Sequence, residues 1–169
     1  MAENSSVPES FRTEEVDKDL KISAPQHLLK VNYGSSAVEP GSTLTPKAAS
    51  TAPTLSWTAN EDQLYTLLMI DPDAPSRQNH VKRSWLHWLV VNIKGDDLSS
   101  GEKITAYNGP TPPKGSGPHR YVFLLFQQSE ALSGVKNPDT RGGFNVGNFV
   151  AMHKLRQASF GNFFKAENP

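Results

Sequence analysis

Apolar runs of strand length alternate with polar, turn-forming segments along this chain, which predicts a mainly β protein. The strongest runs cover residues 64–70, 85–93 and 121–126, and weaker strand patterns cover 27–33, 55–58, 104–107 and 160–164. Residues that favour turns bound most of these segments. Because the connections are short, we predict that the strands pair in an antiparallel arrangement.

Helical periodicity is confined to the two ends of the chain. A helix is predicted over 145–155, with Asn145 as its N-cap. Four residues of that segment share one helical stripe: Val146, Phe149, Val150 and His153. At the amino end, the spacing of Phe11, Val16 and Leu20 allows a short helix, whereas residues 1–10 are expected to form a loose tail.

Length, charge and cysteine content narrow the class of protein. A chain of 169 residues fits one domain over 1–169 that buries a core. Seventeen basic residues balance seventeen acidic ones, which argues against a nucleic-acid partner. The absence of cysteine excludes disulfides, thiolate metal sites and cysteine nucleophiles. Without a signal core or a membrane-spanning run, we expect a cytoplasmic monomer with peripheral membrane contact at most.

A polar segment, 71–84, leaves the first strong strand and returns to the second. Asp71 ends the first strand and His87 interrupts the second, so pairing of these strands brings the two side chains close together. The proline- and glycine-rich segment 108–120 then delivers His119 and Tyr121 to the third strand. With Asp73, these residues form a candidate polar pocket suited to a compact anion.

Other interpretations of these residues stay open or are weaker. A histidine placed like His87 is more often a hydrogen-bonded core residue, and Asp73 also fits a role within a turn. Two aspartates and two histidines are compatible with a divalent metal, but the spacing is unspecific and no thiolate supports it. No nucleophile elbow, phosphate loop or dinucleotide fingerprint occurs, and carboxylates two residues apart need not converge as a glycosidase requires.

Three motifs occur in a characteristic order, and the two longer ones are highly specific in this order and spacing. They are DPDAPSR at 71–77, LHW at 86–88 and PPKGSGPHRY at 112–121. The chain thereby resembles the phosphatidylethanolamine-binding protein family, which includes the Raf kinase inhibitor proteins. The resemblance runs over 27–164, and segment 92–101 is more similar to animal members than to the plant flowering regulators.

The resemblance implies a large antiparallel sheet packed on a smaller one, a few peripheral helices and an anion pocket at one end. The ligand-binding residues that it implies are Asp71, His87, Pro113, His119 and Tyr121, with Asp73, Ala74 and Pro75 shaping the wall. We therefore expect a non-enzymatic protein, without cofactor or metal, that binds phosphate, a phospholipid head group or a phosphorylated peptide. A protein kinase is a further partner that the family suggests.

The alternative is a serine protease inhibitor, or a hydrolase that uses the same pocket. The segment 78–83 has the basic residues of an inhibitory loop but no visible rigidifying clamp.

Two departures from the family pattern stand out. The sequence ends at 166–169, where animal members continue into a helix that closes one side of the pocket, so a more open pocket is expected. Asn148 occupies the position of a regulatory serine, which removes that switch.

Two prolines near Asp73 also predict a cis peptide bond before Pro75.

Overall fold

The computed structural model describes residues 2–169, and the side chains of residues 7–169. It contains three α-helices, α1 (Ala2–Thr13), α2 (Val16–Leu20) and α3 (Val146–Met152). It also contains ten strands: β1 (His27–Leu28), β2 (Lys30–Tyr33), β3 (Ser36–Ala37), β4 (Ser42–Thr43), β5 (Thr54–Ser56), β6 (Leu64–Asp71), β7 (Trp85–Lys94), β8 (Glu102–Thr105), β9 (His119–Gln128) and β10 (Phe160–Ala166). A short 3-10 turn, Leu98–Ser100, precedes β8.

The strands form two sheets, and the prediction of a mainly β fold with a large sheet packed on a smaller one is confirmed. The large sheet has the order β1-β10-β9-β6-β7-β8, with β4 also pairing with β10, and the small sheet has the order β3-β2-β5. The large sheet is mixed and not wholly antiparallel as predicted, because β1 and β4 run parallel to β10. These two strands are two residues long, too short to leave a periodic pattern in the sequence.

The central strands are largely apolar because both faces of the large sheet are covered. In β6, Leu68 and Ile70 face the helices, whereas Leu67 and Met69 face the small sheet. A strand buried on both faces shows no alternation of polar and apolar residues. The strongest apolar runs therefore mark the middle of the large sheet, β6, β7 and β9.

The amino-terminal helix corrects the expectation that residues 1–10 form a loose tail. Helix α1 spans Ala2–Thr13, whereas Met1 lies outside the described residues. Val7 and Phe11 are fully buried against the helical face of the large sheet, and the Phe11 ring meets Phe163 edge-on at 5.1 Å. The full helix was not predicted because the segment is polar and contains Pro8. Its burial depends on β10, about 150 residues later in the sequence.

Helix α3 is shorter than the predicted 145–155. The Asn145 side chain accepts a hydrogen bond from the Asn148 backbone N–H at 2.9 Å, which confirms the N-cap. Val146 and Phe149 are buried as their spacing predicts. The helix ends at Met152, and Lys154 adopts a left-handed φ of 54°, so the chain turns away before the predicted end.

Candidate functional site

Neighbouring strands of the large sheet bring the predicted site residues together at one end. Strand β6 lies between β7 and β9, so Asp71 at its end is adjacent to both histidine-bearing strands. The Asp71 Oδ2 atom lies 2.7 Å from His119 Nδ1, and both side chains are almost fully buried. The Asp71 Oδ1 atom accepts the Asp73 backbone N–H at 2.7 Å.

A β-bulge places His87. Met69 pairs with Trp88 and Ile70 pairs with Leu86, so His87 is the extra residue between two paired positions. As a result, Leu86 faces the helical core while Trp88 faces the small sheet, which regular alternation would not allow. Bulges of this kind redirect a side chain near functional sites. Here the His87 Nδ1 atom reaches the Asn108 carbonyl oxygen.

A cavity of about 200 Å³ opens at this end of the sheet. Seven of the eight predicted residues line it: Asp71, Ala74, Pro75, His87, Pro113, His119 and Tyr121. Three further residues complete the lining and were not predicted: Lys82, Trp85 and Thr111. They lie in or beside the two long polar segments, whose folding leaves no periodic signal in the sequence. The Ala74-Pro75 peptide bond is cis, as predicted.

Asp73 is the predicted residue that does not line this cavity. Its side chain is fully buried, and its two oxygens accept hydrogen bonds from Arg120 Nε at 2.9 Å and Arg120 Nη2 at 2.7 Å. Burial alone would raise the pKa of this carboxyl, but the hydrogen bonds and charge of Arg120 outweigh it and lower the pKa. Asp73 therefore anchors the wall of the cavity from behind, and a ligand-binding role for it stays a prediction.

The hydrogen-bond partner of His87 determines which of its nitrogens carries the hydrogen. The Asn108 carbonyl only accepts, so His87 Nδ1 donates, and Nε2 of the neutral ring is then an acceptor. Burial lowers the pKa of His87, and the nearby Arg141 and His119 charges act in the same direction, against the Asn108 carbonyl and Asp71. The Nε2 atom of a neutral His87 ring can therefore accept a hydrogen bond, and that of a protonated ring can donate one.

Ser116, which sequence reasoning missed, extends the Asp71–His119 pair. The Ser116 Oγ atom lies 2.8 Å from His119 Nε2 and 2.7 Å from the Pro113 carbonyl oxygen. One hydroxyl hydrogen serves only one of these acceptors. Either Ser116 donates to His119, or it donates to Pro113 and accepts from a His119 ring with a hydrogen on both nitrogens.

Tyr121 contributes a neutral donor. Burial raises the pKa of its phenol, and the charges of Asp71 and Asp73 raise it further. The ring stacks on His119 at 6.1 Å and meets His87 edge-on at 5.2 Å. No hydrogen bond joins its hydroxyl to another described residue, so the O–H group remains available to a ligand in the cavity that Tyr121 lines.

The family is now decided by comparison with known proteins. Residues 34–165 match the family model described as phosphatidylethanolamine-binding protein. The chain belongs to the phosphatidylethanolamine-binding protein family. It is 40% identical over 159 residues to the Drosophila melanogaster protein named "Putative odorant-binding protein A5", covering 90% of this chain and 76% of that protein.

Solved structures of phosphatidylethanolamine-binding proteins and related inhibitors have the same fold. A carboxypeptidase Y inhibitor, solved in complex with its cognate proteinase, matches with a TM-score of 0.85 and 29% identity, over 97% of this chain and 96% of the other. The phosphatidylethanolamine-binding protein from Plasmodium vivax matches with a TM-score of 0.79 and 23% identity, over 98% and 100% of the two chains. The second likeness establishes the fold alone.

Two further properties concern the part of the chain that the structure describes. Within residues 2–169, no helix is long and apolar enough to cross a membrane. Within the same range, no group of three or more histidine, cysteine or acidic residues is arranged to hold a metal ion. Cytoplasmic location, the monomeric state and the single domain stay predictions.

Proposed function

We propose that this protein binds a phosphate-bearing ligand in the cavity beside His87 and does not transform it. The observation that carries this proposal is the convergence of His87, His119 and the Tyr121 hydroxyl on one small cavity. The Tyr121 hydroxyl and a protonated His87 ring can donate hydrogen bonds to phosphate oxygens, and the neutral His87 ring can accept one from a monoprotonated phosphate. Phospholipid head groups and phosphorylated peptides both carry this group, and a protein kinase is a partner that family membership suggests.

Asp71 does not prevent an anion from entering. Its Oδ1 atom accepts the Asp73 N–H and its Oδ2 atom lies 2.7 Å from His119 Nδ1, so both oxygens are engaged. Only 4% of the residue surface is exposed, which leaves little of the carboxylate facing the cavity. Its negative charge is therefore directed towards His119.

Titration of the protein with inorganic phosphate, followed by NMR of the histidine and tyrosine side chains, tests this function. We expect shifts centred on His87 and Tyr121, and a loss of affinity of about two- to tenfold in His87→Ala, the range of one hydrogen bond. His27→Ala is the control, because His27 pairs with Phe160 while His119 pairs with Ala166, at the opposite end of β10. Unchanged affinity in His87→Ala would show that the ligand lies elsewhere.

A specific observation favours hydrolysis as the second candidate function. Asp71, His119 and Ser116 follow each other at hydrogen-bond distance, in the order of a carboxylate, histidine and serine nucleophile. The Pro113 carbonyl competes for the Ser116 hydrogen, which opposes transfer of that proton to His119. Covalent labelling by a fluorophosphonate that disappears in Ser116→Ala would support this candidate over simple binding.

The likeness to an inhibitor at 29% identity supports proteinase inhibition as a further candidate. An assay of carboxypeptidase and serine proteinase activity with increasing amounts of this protein tests it. Loss of activity at a stoichiometric ratio would support inhibition, and full activity at a large excess would exclude it for the proteinases used.

A further inference from the structure

A second cavity, of about 250 Å³, opens on the helical face of the large sheet, between α3 and the segments that follow α2 and α3. Among the described residues, none lines both this cavity and the cavity beside His87. Phe126 lines the second cavity and follows His119 by seven residues in β9, which is about 23 Å along a strand. The two cavities are therefore separate places in the molecule.

The walls of the second cavity are apolar. Six apolar side chains line it, and all of them belong to the core on the helical face or pack against it: Ile22, Phe126, Val146, Val150, Leu155 and Ala158. An apolar cavity of about 150 Å³ is large enough to bind benzene. The second cavity can therefore hold the apolar part of a small molecule.

Helix α2 ends beside this cavity in a Schellman turn. The Ile22 N–H donates to the Asp17 carbonyl at 3.0 Å, and the Lys21 N–H donates to the Lys18 carbonyl at 3.2 Å. Lys21 has a left-handed φ of 58°, a conformation that glycine usually provides at this position. As a result, Ile22 lies in the wall of the cavity and the exposed Lys21 lies at its edge.

Helix α3 ends beside the same cavity in the same type of turn. The Leu155 N–H donates to the Val150 carbonyl at 2.9 Å, and the Lys154 N–H donates to the Ala151 carbonyl at 3.3 Å. The chain then places the buried Leu155 in the wall and the exposed Arg156 at the edge. The two turns thus bring two apolar residues and two cations to one opening.

The two cations at this edge have no acidic partner. Within residues 7–169, neither Lys21 nor Arg156 forms an ion pair, and no carboxylate lines the cavity. Cations near helix ends also complement the last carbonyl groups. Here, however, N–H groups of the two turns already donate to two carbonyls of each helix. The positive charge at the edge is therefore free to attract an anion.

We propose that this cavity binds a small carboxylic acid with an apolar body, such as a medium-chain fatty acid. The walls enclose the hydrocarbon, and Lys21 and Arg156 attract the ionised carboxylate at the opening. Burial of the hydrocarbon supplies most of the affinity, because an exposed charge pair contributes little. This site is independent of the proposed phosphate binding.

Three probes with the same hydrocarbon chain test the proposal: octanoate, octan-1-ol and octylammonium. Each is titrated below its micelle-forming concentration at about pH 7, where the carboxylic acid is ionised, while the methyl NMR signals of Val146, Val150 and Leu155 are followed. We expect octanoate to bind about two- to fivefold more tightly than octanol at low salt, and octylammonium to bind least tightly. Added salt should reduce these differences.

Matched variants separate the charges from the apolar walls. Lys21→Met and Arg156→Met should each reduce the preference for octanoate over octanol, whereas Lys103→Met removes an exposed charge from β8 and should keep it. Val150→Phe fills the cavity and should weaken the binding of both probes. Val135→Phe makes the same change at another partly buried position of this core and should leave both affinities unchanged.

Three results would overturn the proposal. Equal affinity for octanoate and octanol, unchanged in Lys21→Met and Arg156→Met, would refute the assignment to carboxylates. Octanoate shifts that are absent, or confined to signals away from Val146, Val150 and Leu155, would refute the site. Self-association of the protein that Val150→Phe abolishes would show that a second copy of the chain occupies the cavity.

Discussion

Removal of the buried carboxylate behind the cavity should be among the most destabilising single changes in this protein. Asp73→Asn leaves Arg120, which is 1% exposed, without its two charged hydrogen bonds. Breaking a buried ion pair costs about 3–5 kcal/mol in free energy of unfolding. Arg120 still donates to Asp19 Oδ2 at 2.7 Å and to the Glu14 carbonyl at 2.8 Å, so we expect the lower end, about 3 kcal/mol.

Urea unfolding measures this loss, and thermal unfolding should show a midpoint lowered by about 6–12 °C for a domain of this size. The pH dependence provides an independent check. The fold lowers the pKa of Asp73, so the stability from this carboxylate is present above its unfolded value of about 3.9 and is lost as the pH falls through the lowered value. Asp73→Asn should flatten that part of the acid unfolding profile.

An exposed ion pair supplies the control for this prediction. Lys18 lies 4.0 Å from Glu15, and its side chain is 75% exposed. Lys18→Met should change the free energy of unfolding by less than about 0.5 kcal/mol. A loss below about 1 kcal/mol in Asp73→Asn, similar to the control, would refute the reasoning that this pair is buried and that Asp19 and Glu14 compensate only partly for the lost carboxylate.

Three further predictions concern other parts of the chain. The fold lowers the pKa of His87, so the neutral ring contributes to stability. This contribution is complete above the unfolded pKa of about 6.5 and decreases as the pH falls below that value. An NMR titration that gave an ordinary or raised pKa for His87 would contradict this prediction. Phe11→Ala should cost about 3–5 kcal/mol in urea unfolding, since the ring is fully buried, and a negligible loss would argue against docking of α1. Gly161→Ala should lower the free energy of unfolding by about 1–3 kcal/mol, because the added Cβ would lie 2.6 Å from Pro25 Cγ. Gly147→Ala is the comparison in the same assay and should be tolerated better, because its added Cβ would lie 3.3 Å from Asn145 Oδ1.

Prediction from sequence succeeded where a local pattern reflects burial. The strongest apolar runs became β6, β7 and β9, because these strands are covered on both faces and contain few polar residues. Asp71 and His119 lie at ends of such strands, so adjacency in the sheet brings them together. Motif resemblance added Ala74, Pro75 and Pro113, which all line the cavity.

Elsewhere, residues far apart in sequence determined the structure. Asp73 was predicted at the pocket wall, but its hydrogen bonds to Arg120 hold its side chain behind that wall. His87 owes its orientation to a bulge, which depends on the register between two strands and not on the residues of one strand.

Apolar runs and periodicity follow from which sides of an element are buried, so the sequence by itself determined the long strands of the large sheet and the end of the sheet that carries the polar residues. The long polar segments have no such periodicity. Lys82 reaches the cavity because its backbone bonds to Ala74 and Gly143 and its stem packs over Gly142. The contacts with Gly142 and Gly143 join segments about 60 residues apart, and only the tertiary structure brings such segments together.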